Sequence, residues 1–392
     1  MTTSPGTTKT ASDQVGRLFE QATQDAPLDQ DTYLRGLKRP AVLGLPVHMR
    51  LRWYYLMQVV HAELRRVTSD LLELLEPNNE VSIISIIGMT GIGKTTFANS
   101  LRSTLAQRFF DTAKAWEVPV IYVSAPANGE RSLSWTSLYT RILEESNEPL
   151  IHRKRATTVE NGKMKIHVSS RTSLADLRSS LDSMLLNRGV RILIVDEALH
   201  LLRFSDYSAV MDTLKSLADN SSANGLPSAK LLLIGSYGIT PLMQQYAQVS
   251  RRSEIIHYQR YHAKDENDAR EFRRVLAVLE GLWPCEEIPN LSPIGDRLMD
   301  ATLGSVGLLK GALLRLAFLQ MKGKGERFNG SMLAKSIKSI RALANIESET
   351  LEGEEELQGA AYGESMFADR KVMDELAIAM TRDRCKESEA VL

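Results

Sequence analysis

The sequence predicts an α/β fold: a parallel central sheet, preceded by a helical N-terminal extension and followed by a small α-helical lid. Three observations carry that prediction. A glycine-rich loop sits between a β-branched apolar run and a helical pattern within residues 81–108. A second apolar run ends in Asp196-Glu197, about a hundred residues further on. Beyond residue 265 the apolar spacing is helical only.

The loop, Gly88-Met89-Thr90-Gly91-Ile92-Gly93-Lys94-Thr95-Thr96, has the form G-x-x-x-x-G-K-T. The run Val81-Ser82-Ile83-Ile84-Ser85-Ile86-Ile87 before it reads as a buried strand, and residues 97–108 after it as a helix. In that setting glycines let backbone N–H groups close around phosphate oxygens, and the helix N-terminus adds partial positive charge. Lys94 then reaches the β- and γ-phosphates of ATP, and Thr95 offers a hydroxyl to Mg2+.

Ahead of the loop, residues 1–15 have little to bury and read as disordered. Residues 16–77 form the N-terminal extension. Helical spacing begins at 15–22 and is stronger over 46–75, where Leu51, Tyr54, Tyr55, Val59, Ala62, Leu64, Val67, Leu71 and Leu75 predict one helix that Pro77-Asn78-Asn79 ends. Gly44-Leu45-Pro46-Val47 is either a neighbour of the adenine or an apolar loop packed on the core.

Residues 78–262 form the α/β core. Residues 118–123 predict a second strand and 135–143 a helix; Asn128 between them either faces the γ-phosphate or makes an ordinary turn. A polar, basic stretch at 151–173 reads as a surface insertion of a kind that is functional or disordered, and 174–186 as a helix. The run Ile192-Leu193-Ile194-Val195 places Asp196 at a buried strand's C-terminal end, where open α/β sheets bind ligands. Asp196 would act on Mg2+ through its water shell, and Glu197 would orient and deprotonate the attacking water.

A helix at 207–219 and a loop at 220–229 lead to a strand over 230–236. Ser236 at its end either contacts the γ-phosphate or lytic water, or caps a helix. A short helix is expected at 240–247. Arg251 and Arg252, before the strand at 255–258, are candidates for an arginine finger acting on a neighbouring subunit; a local carboxylate or a DNA phosphate is the other possible contact.

Residues 263–345 form the lid, with helices at 266–281, 293–302, 306–321 and 331–343. Gly304-Ser305-Val306-Gly307 opens the third of them, from which Lys310 either reaches the nucleotide or stands exposed. Residues 346–392 form an acidic tail, in which 347–356 read as a linker and 369–380 as an amphipathic helix.

The formal net charge of the 392 residues is zero, yet its distribution is uneven. Residues 151–191 carry a net +6, residues 310–341 a net +7 and residues 346–392 a net −8. The basic segments suit either a polyanion partner or solvated helix faces. No apolar run approaches the roughly 18 residues of a membrane span, and the two cysteines, Cys285 and Cys385, have neither disulfide-framework nor zinc spacing. A cytoplasmic protein with no membrane partner is expected.

P-loop, Asp196-Glu197, a polar strand end, paired arginines and a glycine-led lid helix follow one another as in AAA+ ATPases. Within them the chain resembles the TnsC/TniB group of transposition regulators of Tn7-like transposons, on Gly88 to Thr96, on Ile192 to Glu197 with Ala198-Leu199-His200, on Gly235-Ser236-Tyr237 and on Gly304-x-x-Gly307. The resemblance covers residues 40–343, and initiator-like AAA+ proteins and secretion-associated ExeA-type ATPases share much of it. Two features depart from the group: Lys310 stands where arginine is commoner, and the insertion around Arg153 to Lys165 has no clear counterpart. The resemblance implies an Mg-dependent ATPase that forms rings or filaments as a homo-oligomer on duplex DNA. It would link a TniQ-type target selector to a transposase on the bacterial nucleoid, with hydrolysis controlling disassembly. The alternative is a signalling or secretion ATPase acting on a protein partner without DNA.

Overall fold

A computed structural model of the chain describes residues 28–76, 79–126, 134–149, 151, 157–160, 163–166, 173–203, 207–218, 228–240, 252–323 and 327–360. The expectations for residues 1–15, 15–22, 241–247 and 369–380, for Asn128 and for Arg251 lie outside them.

The extension contains α1 (Leu28–Gly36), α2 (Arg39–Leu43), α3 (Val47–Leu56) and α4 (Ala62–Leu74). The single helix expected over 46–75 is therefore two, interrupted at residues 57–61. Its halves serve different cores. Leu51, Trp53, Tyr54 and Leu56, with Leu34 and Val42, pack among the C-terminal helices, whereas Val67 and Leu71 pack against the sheet. Leu45 and Val47 also pack on the former core, so the 44–47 loop is the apolar one of its two alternatives.

The α/β core runs β1 (Ile83–Gly88), α5 (Lys94–Phe110), β2 (Val120–Ser124), α6 (Trp135–Glu145), an antiparallel hairpin of β3 (Thr157–Glu160) and β4 (Lys163–Ile166), α7 (Leu174–Asn187), β5 (Ile192–Asp196), α8 (Tyr207–Ala218), β6 (Lys230–Gly235) and β7 (Ser253–Tyr258). The basic stretch at 151–173 thus contains regular structure of its own. Five strands pair in parallel in the order β2-β5-β6-β1-β7. β1 and β5 are buried at every position, which their unbroken Ile, Leu and Val runs permit. Inserting β5 and β6 between β2 and β1 decides the site. Ile87 pairs with Gly235 and Val195 with Leu233, so the phosphate loop, Ser236 and Asp196 leave the same edge of the sheet on neighbouring strands.

The lid comprises α9 (Glu266–Gly281), α10 (Gly295–Ala301), α11 (Val306–Lys322) and α12 (Gly330–Ser336). Asp265 caps α9 by accepting from Asn267 and Asp268 N–H. The helix expected over 331–343 stops at Ser336, and the linker expected over 347–356 is instead part of α13 (Ile340–Ala360). Leu343, Ile346, Thr350, Gly353 and Leu357, three and four residues apart, form its inner stripe; Leu343, Ile346 and Leu357 join the sheet core, and Thr350 is 1% exposed.

The two cores meet where residues 57–61 and 259–262 cross between them. His61 lies between Tyr261, 2.9 Å from Nδ1, and Tyr258, 3.4 Å from Nε2. Burial lowers its pKa to about 4, so the ring is neutral near pH 7, one nitrogen donating and the other accepting.

Candidate nucleotide site

A cavity of about 760 Å³ opens between the C-terminal edge of the sheet and the lid. Thr90, Gly91, Gly93, Lys94, Thr95 and Thr96 line it from the phosphate loop, Glu197 and Ser236 from the ends of β5 and β6, and Lys310 from α11. Helices α1 and α3 close another side with Asp31, Arg35, Arg52 and Tyr55. The sequence motifs carry no sign of this wall.

The loop's form follows from its glycines. Gly91 and Gly93 have φ of +86° and +109°, where side-chain-bearing residues are strained. Gly88 runs so close to β7 that an added Cβ would stand 2.6 Å from Tyr258 O. Met89 and Ile92 are buried and hold the loop on the core, their side chains absent from the cavity lining. Lys94 begins α5, and its Nζ donates to Gly88 O at 2.8 Å and Met89 O at 2.9 Å. Burial lowers its pKa to about 8, while Glu197, Asp196 and Glu349 act the other way. A half-buried ammonium against neutral carbonyls at a helix N-terminus suits a phosphate.

Asp196 is 2% exposed. Its Oδ2 accepts from Tyr122 OH at 2.9 Å and its Oδ1 from Glu197 N–H at 2.8 Å. The second bond accompanies a left-handed backbone at Glu197, φ +53°, which holds about 1–3 kcal/mol of strain and turns an exposed carboxylate to the cavity. Burial, then Asp196, raises the Tyr122 pKa, so the phenol stays protonated and donates. Tyr122 was not singled out by the sequence, because it is an ordinary strand residue until β2 pairs with β5. Thr95 and Asp196 are hard oxygen donors that fit Mg2+, which keeps waters and phosphate oxygens for its remaining positions. Ser236, 9% exposed, makes no cap bond through its side chain to the turn that follows.

Lys310 lines the cavity, but its ammonium caps the end of α3, donating to Tyr55 O at 2.7 Å and to Met57 O. Burial lowers its pKa to about 8, with Arg35 acting in the same direction. Arg252 lies exposed at the opposite end of the sheet from the phosphate loop, just before β7, where its carbonyl accepts from Ser82 and Ile83 N–H. It is placed away from its own subunit's cavity.

The lid touches the loop backbone directly. Ser305 Oγ donates to Gly91 O at 3.1 Å, and a Cβ on Gly307 would stand 2.2 Å from the same oxygen. At Gly304, φ +70°, a Cβ would overlap Tyr261 O at 1.8 Å. Gly307 therefore allows the close approach of the lid to the phosphate loop, and Gly304 the close approach to the chain at Tyr261.

A five-stranded parallel sheet with a phosphate loop, an acidic strand end beside it and a helical lid is the fold of an AAA+ P-loop NTPase. Residues 78–243 match the family model of the AAA domain. The chain is similar to the Aeropyrum pernix ORC2 protein in its ADP form, with a TM-score of 0.50 and 17% identity over 70% of this chain and 66% of that one. It is also similar to the A. pernix ORC1 protein in complex with DNA, TM-score 0.48, 18% identity, 76% and 68% covered. The Walker-type ATPase PABY2304 of Pyrococcus abyssi gives a TM-score of 0.43 and 17% identity, with 74% of each chain covered. The chain thus spans about two thirds of the length of the ORC2 protein. No curated protein matches the sequence.

Proposed function

We propose that this protein is an ATP-gated assembly factor of DNA transposition. It binds ATP with Mg2+ in the lid cavity, forms a homo-oligomeric ring or filament on duplex target DNA in the cytoplasm, and links a TniQ-type selector to the transposase until hydrolysis loosens the assembly. The observation that carries the ATP-binding part of the reading is the convergence of Lys94, Thr95, Glu197 and Ser236 on one cavity whose far wall is the lid; the transposition part rests on the sequence resemblance. Phosphates would rest on the loop N–H groups and Lys94. Mg2+, held by Thr95 and reached through water by Asp196, would neutralise charge on the phosphates. Glu197 is free to take a proton from water, and the arginine pair at 251–252 would act on the next subunit's γ-phosphate. Exposed cations at Arg315, Lys322, Arg327, Lys335, Lys338 and Arg341 favour a polyanion partner contacted through its backbone.

The test is imaging of the protein with a slowly hydrolysed ATP analogue, with and without duplex DNA, at low and high salt. Assemblies are expected only with both ligands, dissolving as salt rises. Lys94→Ala should form none, and Glu197→Gln should accumulate them with ATP itself. Oligomers that ignore DNA would replace this reading with that of an ATPase acting on a protein partner.

A further inference from the structure

We propose that α13 gates the nucleotide cavity: in its docked position it holds a carboxylate at the phosphate end, so that its docking and the binding of a nucleoside triphosphate oppose each other. The inference rests on the ATP-binding reading above. The carboxylate is Glu349, whose Oε1 accepts from Thr90 Oγ1 at 3.3 Å. It lines the same cavity as Lys94, Thr95 and Glu197. Asp196 and Glu197 supply the two acids that metal and water need. Glu349 adds, from a separate element, a charge of the same sign as the ligand.

The helix that carries Glu349 is firmly seated on the strand end that would sense the γ-phosphate. Tyr237, next to Ser236, packs against Gly353, where an added Cβ would lie 2.1 Å from the ring and 2.3 Å from Tyr237 Cβ. Arg260 donates to both carboxylate oxygens of Glu354, at 2.8 and 3.0 Å, in a largely buried pair. Leu357 and Thr350 are buried beside them. The seat is therefore specific, and among the described residues of α13 only Glu349 lines the cavity. Among the described residues, α13 brings no cation into the cavity beside this carboxylate, so its charge would oppose a triphosphate on the loop. Relief comes from undocking, and by linkage bound triphosphate weakens docking by the same factor that docking weakens triphosphate binding.

Two variants of the full chain separate charge from seating. Glu349→Gln removes the charge and leaves the seat. Gly353→Ala blocks the seat against the first atoms of a buried tyrosine, and alanine is the better helix former, so α13 itself persists. Each should bind a non-hydrolysable ATP analogue about tenfold more tightly than wild type, the effect of removing one nearby like charge from a partly exposed site. Hydrogen exchange provides the second readout. In wild type, saturating analogue should speed exchange of the α13 amides towards the rate that Gly353→Ala shows alone. Equal affinities in all three proteins, or α13 amides as protected with analogue as without it, would overturn the gate while leaving ATP binding intact. Failure of wild type to bind the analogue at all would instead remove the nucleotide reading, and the gate with it.

Discussion

Replacing Gly307 with alanine tests the contact between lid and phosphate loop. The added Cβ would lie 2.2 Å from Gly91 O, 2.8 Å from Ile92 C and 2.9 Å from Gly93 N, all backbone atoms, so no side-chain rotation relieves the overlap. Restoring an ordinary contact from 2.2 Å requires α11 and the loop to part by about 1 Å. That separation breaks the 3.1 Å bond from Ser305 to Gly91, a loss of about 1 kcal/mol. Overpacking adds roughly 1–3 kcal/mol. Gly311, one turn along the same helix, has nothing within 4 Å of its ideal Cβ, and alanine there should stabilise by up to about 1 kcal/mol. Gly311→Ala adds its Cβ to open space in the same helix and serves as the reference, against which the lost contact at Gly307 is expected to cost about 2–4 kcal/mol. Urea unfolding followed by tryptophan fluorescence measures it, since Trp53 and Trp283 are fully buried in the lid core. Gly307→Ala as stable as Gly311→Ala would refute the close approach.

Two further outcomes are expected. Tyr122→Phe leaves Oδ2 of the buried Asp196 without its phenol donor, a loss of about 1–3 kcal/mol; the Mg2+ concentration for half-maximal hydrolysis should rise roughly tenfold, with metal-free nucleotide binding unchanged, and an unaltered Mg2+ dependence would show that the bond does not position Asp196. Nucleotide affinity should be full below pH 8 and fall as pH rises through the Lys94 pKa of about 8, because bound phosphate favours the ammonium and so raises that pKa. The fall should approach tenfold per pH unit, accompanied by proton uptake on binding at pH 8.5, and a flat affinity profile to pH 9.5 would contradict the lowered pKa.

The strands and the loop were legible because each motif is local. A buried parallel strand must be a short apolar run, and G-x-x-x-x-G-K-T states its own chemistry. Asp196 and Ser236 were recognisable as strand ends, and strand order then brings both to the loop. What escaped depends on partners distant in sequence. The apolar spacing over residues 46–75 is continuous, yet its first half faces Trp283 and Phe272 and its second half the sheet. In α13 the inner stripe includes Thr350 and Gly353, which do not register as apolar, and the acids between them read as a solvated linker. In the sequence Lys310 is a cation that either reaches the nucleotide or stands exposed, and its hold on the carbonyls at the end of α3 is not readable from α11 alone. Tyr122 had no signal beyond its place in a strand.

The lid core is built from both ends of the fold, and this changes what counts as a domain here. Leu34, Val42, Leu51 and Trp53, which precede the phosphate loop, pack beside Phe272, Leu279 and Trp283, which follow the sheet. A truncation beginning at residue 78, where the AAA match begins, would strip one side from that core. Two crossings of the chain, at 57–61 and 259–262, also run side by side, fastened by one neutral imidazole between two phenols. A rotation of the lid over the nucleotide would flex both of these crossings at the His61 contact.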